Sequence, residues 1–598
     1  PEREQQRPSI TANTNYNKWS IYERLLTHTV RISSVSDVVI LSEFFMVKSL
    51  LFLGTVFSLA FSTAHANEDS YRHVMLAGGG MSVCSSMASD KCDDADWIDR
   101  DTMRTDRYLN ISKKFRSKAT AESVWPTYRE ETRKEVIDAL ALIHDRIKED
   151  IVPERVFLRE FTRRATQQLY NSLSDAEWNR IIDLLEMPVP DNMAEMVNLE
   201  DNLSGESRAI YRQFVGMAET VSDDEQPTIY FLTSSSRDPY AEIDFYTSVF
   251  EQLGAKAKWL PLDSAVIKAR REGRCEELAE IQKESQGAYE RDRVYREDYE
   301  KQVEFCKNPA ATKDMLAEAD AVFINDGNAN FTRSTFVKSN NQISDELKQI
   351  VTLVQQKELV IGGVGAGAAV MTSKPMISNG TTAEAIKSGA LASDPPLHGC
   401  DLDTTCPPNT GPDTLTYHPL GGMSLFHFAT VDWAMSGNGR HGRLLRLAAE
   451  TSTPLSLGVD EETSMIVNLE SGAFEIHGER GVFFVENAQS TDSAVAGTFH
   501  YLVAGASGVI SPFGLQTTEF AESDNVVQTA PTTNFLRDRG LIDSMRILCG
   551  ERNQVSLLNK SYRLVAQKGE SSRVQAAGGE CQIVNGSIGI AYQPEEKL

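Results

Sequence analysis

A chain of 598 residues has room for roughly two to four domains with a sizeable core, and 41% hydrophobic with 24% charged residues is an ordinary globular composition. The formal net charge of −25 speaks against nucleic-acid binding, because no basic face would outweigh that field. The acidic surface is compatible with cationic ligands, but its plainer use is solubility.

The N-terminal region carries an address. Met46-Val-Lys-Ser opens a short basic start, residues 49–61 are almost wholly apolar, and Ala64-His65-Ala66 has the form of a cleavage site. This order predicts a secretory signal peptide over 46–66, preceded by an upstream segment, 1–45, that is not native; a genuine cytoplasmic extension is the alternative. The apolar run is shorter than the roughly 20 residues that span a bilayer. No stable membrane insertion is therefore expected after cleavage, and the protein is expected in the periplasm or outside the cell. Eight cysteines, all beyond the signal peptide, suit an oxidising compartment. They fall into sequence neighbours, which suggests the pairs Cys84–Cys92, Cys275–Cys306, Cys400–Cys406 and Cys549–Cys581, although proximity alone does not fix connectivity.

Residues 67–226 read as a first strand, His73-Val-Met-Leu-Ala, ending in Gly78-Gly-Gly80, followed by a helical insertion over about 118–220. Ser174-Asp-Ala-Glu177 is a capping box opening one of its helices. Strands and helices alternate over 227–511, with strands at Thr228–Thr233, Lys256–Leu262, Asp320–Asn325 and Leu359–Val364. This predicts an α/β fold, a parallel sheet flanked by helices, with ligands at the carboxyl ends of its strands. A second charged, helical insertion covers 264–313. Beyond 450 the pattern is richer in strands, and the extension 512–598 has no legible periodicity.

Leu359-Val-Ile-Gly-Gly-Val-Gly-Ala-Gly-Ala-Ala-Val-Met371 has the strand, sharp turn and helix of a nucleophile elbow, with Gly365 at the tip where Ser or Cys should stand. Taken with Val322-Phe-Ile-Asn-Asp-Gly-Asn328, Asp432 to Leu445, and Leu457-Gly-Val-Asp-Glu-Glu-Thr463, it resembles the cyanophycinase and aspartyl-dipeptidase family of serine peptidases. The resemblance covers about residues 72–80 and 227–510. It implies a class I glutamine amidotransferase-like fold and a Ser-His-Glu triad. On the matching positions the triad falls on Gly365, Ala434 and Glu461, so its first two members are missing. The resemblance implies an oxyanion loop at Asp326, Gly327 and Ala366, and binding residues at Asn328, Asp432, Arg440 and Arg443. It also leaves a homodimer open.

Acyl transfer by a triad needs a nucleophile, a base and a group to orient the base. Asp326, standing where the family has glycine, would oppose a developing oxyanion if it pointed there. Thr372 and Ser373 lie too far along the helix to replace the nucleophile. His427, in Leu425-Phe-His-Phe428, reads as a core histidine; His441, in a Gly-Arg-His-Gly-Arg turn, reads as exposed; His418 is the third histidine near these segments. No cofactor is expected, since Gly363-x-Gly365-x-Gly367 lacks dinucleotide-loop spacing. No metal is assigned either: Asp326, Asp432, Asp460 and Glu461 read more simply as turn and cap carboxylates. The leading expectation is an exported, catalytically degenerate protein binding a peptide or small-molecule ligand; whether it is an enzyme stays open. The alternatives are a hydrolase of aspartyl or β-aspartyl peptides with relocated catalytic groups, and an interaction protein using the helical insertion.

Overall fold

The computed structural model describes residues 71–163, 166–523 and 534–594. Two units divide the chain, Pro1–Tyr71 and Arg72–Leu598. The upstream segment and the signal peptide lie outside the described residues, and the account below concerns the second unit.

Val74–Ala77, Thr228–Leu232, Ala321–Ile324 and Val360–Val364 are buried at every position, as parallel strands covered on both faces must be. With the edge strand Lys256–Trp259 they form the parallel half of a nine-stranded sheet. From that edge the order is 256–259, 228–232, 321–324, 360–364 and 74–77, then 463–467, 473–478, 507–511 and 514–519 in antiparallel succession. The first strand, distant in sequence from its neighbours, thus lies in mid-sheet beside Val360–Val364. Side-chain caps set the flanking helices: Asp263 receives the Val266 N–H, and Ser344 receives the Leu347 N–H. Helix Gly205–Glu219 presses Phe214 onto the sheet, with ring centroids 5.0 Å apart between Phe214 and Phe323. Burying each such ring contributes about 1.5–3 kcal/mol.

The helical insertion has a core of its own. Helices Glu130–Ile147, Glu154–Phe161 and Asp175–Leu185 enclose Leu140, Phe157, Phe161, Ile181 and Leu185, separate from the main apolar cluster. The capping box is formed, with Ser174 Oγ accepting from Glu177 N and Glu177 accepting from Ser174 N. Buried Arg291 ties this insertion to the α/β part, its guanidinium meeting Glu186 at 2.7 Å, Asp238 at 2.8 Å and Asp183 at 3.6 Å.

A second, seven-stranded sheet runs in the order 430–432, 455–459, 481–491, 494–503, 580–592, 562–577 and 554–559. The stretch from 512 onward is therefore woven into both sheets: Gly514–Glu519 closes one edge of the first, and the long hairpin Tyr562–Ala577 and Glu580–Tyr592 completes the second. All four neighbouring cysteine pairs form disulfides. Among the described residues, no helix is long and apolar enough to cross a membrane.

Candidate functional site

The carboxyl ends of the parallel strands converge on Gly365. Its backbone stands at φ +57°, ψ −116°, a strained combination that a side chain adopts only when the fold insists and that glycine adopts freely. The sharp turn of an elbow is present, ending Val360–Val364 and opening the short helix Ala366–Ala369.

The space where a nucleophile would stand is taken by Asp326. A Cβ added to Gly365 would overlap the carboxylate carbon and both carboxylate oxygens of Asp326. The same carboxylate fills the anion-binding corner: Ala366 N–H donates to its Oδ1 at 2.8 Å and Gly327 N–H donates to that oxygen at 2.7 Å. In an elbow hydrolase the N–H of the residue after the nucleophile, plus one from a neighbouring strand's loop, makes the oxyanion hole. Here both converge on a protein carboxylate. Asp326 therefore does more than face, with the wrong sign, the place that the resemblance gives to an oxyanion; its carboxylate takes both of the N–H groups there. Burial pushes its pKa up, while the two amides and Arg440 oppose the rise. Gly79 permits the arrangement, because a Cβ there would come within 2.9 Å of Asp326 Oδ2.

The other two positions that the resemblance gives to a triad, Ala434 and Glu461, lie on loops from the second sheet. Ala434 has φ +43° and donates its N–H to Gly78 O at 2.8 Å, which brings its loop against the glycine triplet. Its methyl group can accept no proton. Glu461 sits beside Gly80 and takes Gly437 N–H at 3.3 Å and Arg480 at 3.2 Å. The carboxylate remains, but it orients no imidazole.

Arg440 stands between these groups. Its guanidinium stacks 4.6 Å from the Trp433 ring centre, donates to Trp433 O at 2.7 Å, and feels the charges of Asp432, Asp326 and Glu461. Burial and neighbouring Arg443 lower its pKa to about 10. Arg443 belongs to the framework: it grips fully buried Asp432 with two hydrogen bonds, Nε to Oδ2 at 2.8 Å and Nη2 to Oδ1 at 2.5 Å. Burial raises the pKa of Asp432, but Arg443 and Arg440 outweigh it and hold the carboxyl below its usual range. Asn328 caps helix Ala329–Phe336, its side-chain oxygen accepting the Asn330 N–H. The structure thus brings Gly365, Asp326, Gly327, Ala366, Glu461 and Arg440 together, and leaves Asn328, Asp432 and Arg443 as supports. Trp433 and Arg480 are site neighbours that the sequence alone did not single out. The one available signal was the position of Trp433 between Asp432 and Ala434.

Two histidine expectations are reversed. His427 is exposed, because Phe426 and Phe428 point inward and leave it on the outer face. His441 is buried at the start of helix His441–Thr451, with its ring edge-on to Phe483 at 4.7 Å and burial lowering its pKa to about 3. His418 is engaged by Asn330 Oδ1 at 2.8 Å. None of these geometries supplies a base at the elbow. Among the described residues, no group of three or more His, Cys, Asp or Glu side chains could hold a metal ion.

No family model matches the chain. A solved structure with some similarity is that of a peptidase from an acI-B1 Actinobacterium, at 12% identity and TM-score 0.29, over 50% of this chain and 90% of that one.

Asp460, one residue before Glu461, is fully buried and braces the site loops. Ser436 N–H donates to its Oδ1 at 2.9 Å and Tyr501 Oη–H donates to Oδ2 at 2.8 Å. Burial raises its pKa to about 6, above the unfolded value of 3.8. A raised carboxyl pKa contributes stability that is full below the unfolded pKa and is lost as pH rises through the folded one. Wild type should therefore lose stability relative to Asp460→Asn between about pH 4 and pH 7. Urea midpoints of the two proteins across that range check this; a constant difference would show that Asp460 does not titrate there.

Proposed function

We propose that this protein is an exported, cyanophycinase-like peptidase scaffold, with a class I glutamine amidotransferase-like fold, in which serine-type acyl transfer has been lost. The observation that carries the reading is the Asp326 carboxylate, standing in the nucleophile's place and taking both oxyanion donors. Ala434 at the base position supports it, since nothing there can accept the nucleophile's proton. Loss of a triad Ser or His alone costs about six orders of magnitude in turnover. What the site keeps is recognition chemistry. Arg440 offers a cation for a ligand carboxylate, and Glu461 an anion for a ligand amine, which suits a peptide or a small zwitterion.

The test incubates the full chain with β-aspartyl-arginine and with aspartyl dipeptides, and follows both release of products and heat of binding. Binding without turnover is the expected result. Turnover that copurifies with the protein and vanishes in Asp326→Asn would overturn the proposal in favour of hydrolysis by relocated groups, with Asp326 as the reactive carboxylate. Absence of both binding and turnover would overturn the ligand assignment.

A further inference from the structure

Four large apolar side chains stay exposed on segments that the backbone ties together: Tyr108 at 44%, Ile151 at 47%, Met196 at 42% and Leu203 at 59%. Tyr108 and Ile151 share the outer face of a small hairpin, Tyr108–Asn110 against Ile151–Pro153, because the pleat turns the alternate residues Leu109 and Val152 into the core. Both also line a cavity of about 220 Å³, with Met103, Val189 and Met193 beside them. From that wall the chain continues through Met196 to Leu203. It is held there by the Arg104 backbone N–H on Ala194 O at 2.9 Å, the Ser86 N–H on Met196 O at 2.8 Å and the Leu203 N–H on Lys91 O at 3.0 Å. An apolar strip kept on the surface of an otherwise acidic chain marks a contact surface.

The two ends of the strip carry opposite charge. Residues 90–99 hold five aspartates against Lys91 alone, and residues 100–118 hold seven lysines and arginines against Asp101 and Asp106. The acidic run lies at the Leu203 end, where the Asp93 N–H donates to Asp201 O at 2.7 Å. Lys113 and Lys114 open helix Lys113–Ala119 at the Tyr108 end, just after the hairpin strand. Several nearby charges are already engaged: Arg107 by Glu154, Lys118 by Glu290, and Asp150, beside Ile151, by His144 at 3.0 Å. Asp93, Asp94, Asp96, Lys113 and Lys114 are exposed and have no ion pair among the described residues.

We infer that this strip binds a second copy of the chain, in an antiparallel arrangement that lays the aspartates of each copy on Lys113 and Lys114 of the other. A two-fold contact uses the same patch on both partners, so a patch with one acidic and one basic end is self-complementary. A partner of a single charge sign would satisfy one end and be repelled at the other. Copies of net charge −25 repel one another in general, so association needs local matching of this kind. The apolar middle supplies the water-excluding core, and the charged ends supply the rim and fix the register. The face lies outside the elbow and outside the segments on which the family resemblance rests, and the inference does not depend on the function proposed above.

Sedimentation of the full chain over a range of concentrations tests this. Wild type should show a monomer–dimer equilibrium. Lys113→Glu with Lys114→Glu, and separately Asp94→Lys with Asp96→Lys, should each weaken it by about tenfold or more, since like charges then face each other at both ends. All four positions are exposed, so both variants should keep the wild-type melting curve. An equimolar mixture of the two should dimerise again, because the reversed lysine end meets the reversed aspartate end and the unchanged ends meet each other. Wild type that stays monomeric, variants that dimerise as wild type does, or a mixture that stays monomeric would overturn the assignment.

Discussion

Gly365→Ser, which places a hydroxyl at the tip of the turn, should destabilise the protein and confer no hydrolytic activity. The new Cβ would fall inside the carboxylate of Asp326, and the backbone at φ +57° would carry a side chain it does not now carry. Overpacking costs about 1–3 kcal/mol and a strained backbone a similar amount, so a loss of roughly 2–5 kcal/mol is expected. Asp326→Gly in the same chain should return much of that loss, since it empties the space and frees the two donors. A double-mutant cycle on urea midpoints reads the coupling directly. Additive effects would mean that the two residues do not compete for one volume. Labelling by a serine-reactive fluorophosphonate should appear only with the third change, Ala434→His, which supplies a base beside Glu461. Its absence from a folded triple variant would count against the elbow as a latent acyl-transfer site.

Arg291→Met should destabilise the protein by a comparable amount. The guanidinium is fully buried and serves Glu186, Asp238 and Asp183 at once. Arg237 still reaches Asp183 at 2.6 Å, but Glu186 and Asp238 would keep no comparable cation. Breaking a buried pair from one side costs about 3–5 kcal/mol, because the remaining charge stays buried. The pH dependence gives this prediction its sign. Without Arg291 the folded pKa values of Glu186 and Asp238 rise, so stability is retained at low pH and lost as pH increases through them. The gap between variant and wild type should be wider at pH 8 than at pH 5, measured by chemical denaturation. A gap that does not vary with pH would point to lost packing instead.

Much of the architecture could be read before any coordinates. Apolar runs such as Thr228–Leu232 and Val360–Val364 have to be covered strands, the capping box at Ser174 announces its helix, and the cysteines pair with their neighbours. These are local properties, set by period and by short-range hydrogen bonds. What stayed hidden depends on distant partners. That Asp326 reaches the tip of the elbow follows from two adjacent strands ending together, which no spacing along the chain reveals. His441 looks exposed among glycines and arginines, yet its helix lies against the strand that carries Phe483. The final hairpin was illegible for a related reason. Tyr562–Ala577 changes exposure along its length, with an exposed middle around Gly569–Ser571, so it presents no single alternating face.

That hairpin has a consequence for how the molecule is made. Strand Ala494–Val503 is paired on one side by Gly481–Thr491 and on the other by Glu580–Tyr592, which comes much later in the sequence. Until Glu580–Tyr592 emerges, one flank of the second sheet is an open row of backbone donors and acceptors, the kind of edge on which chains aggregate. The pairing that closes it joins residues far apart in sequence, and such contacts form slowly. A truncation near residue 580 would therefore leave a sticky intermediate rather than a shorter folded protein.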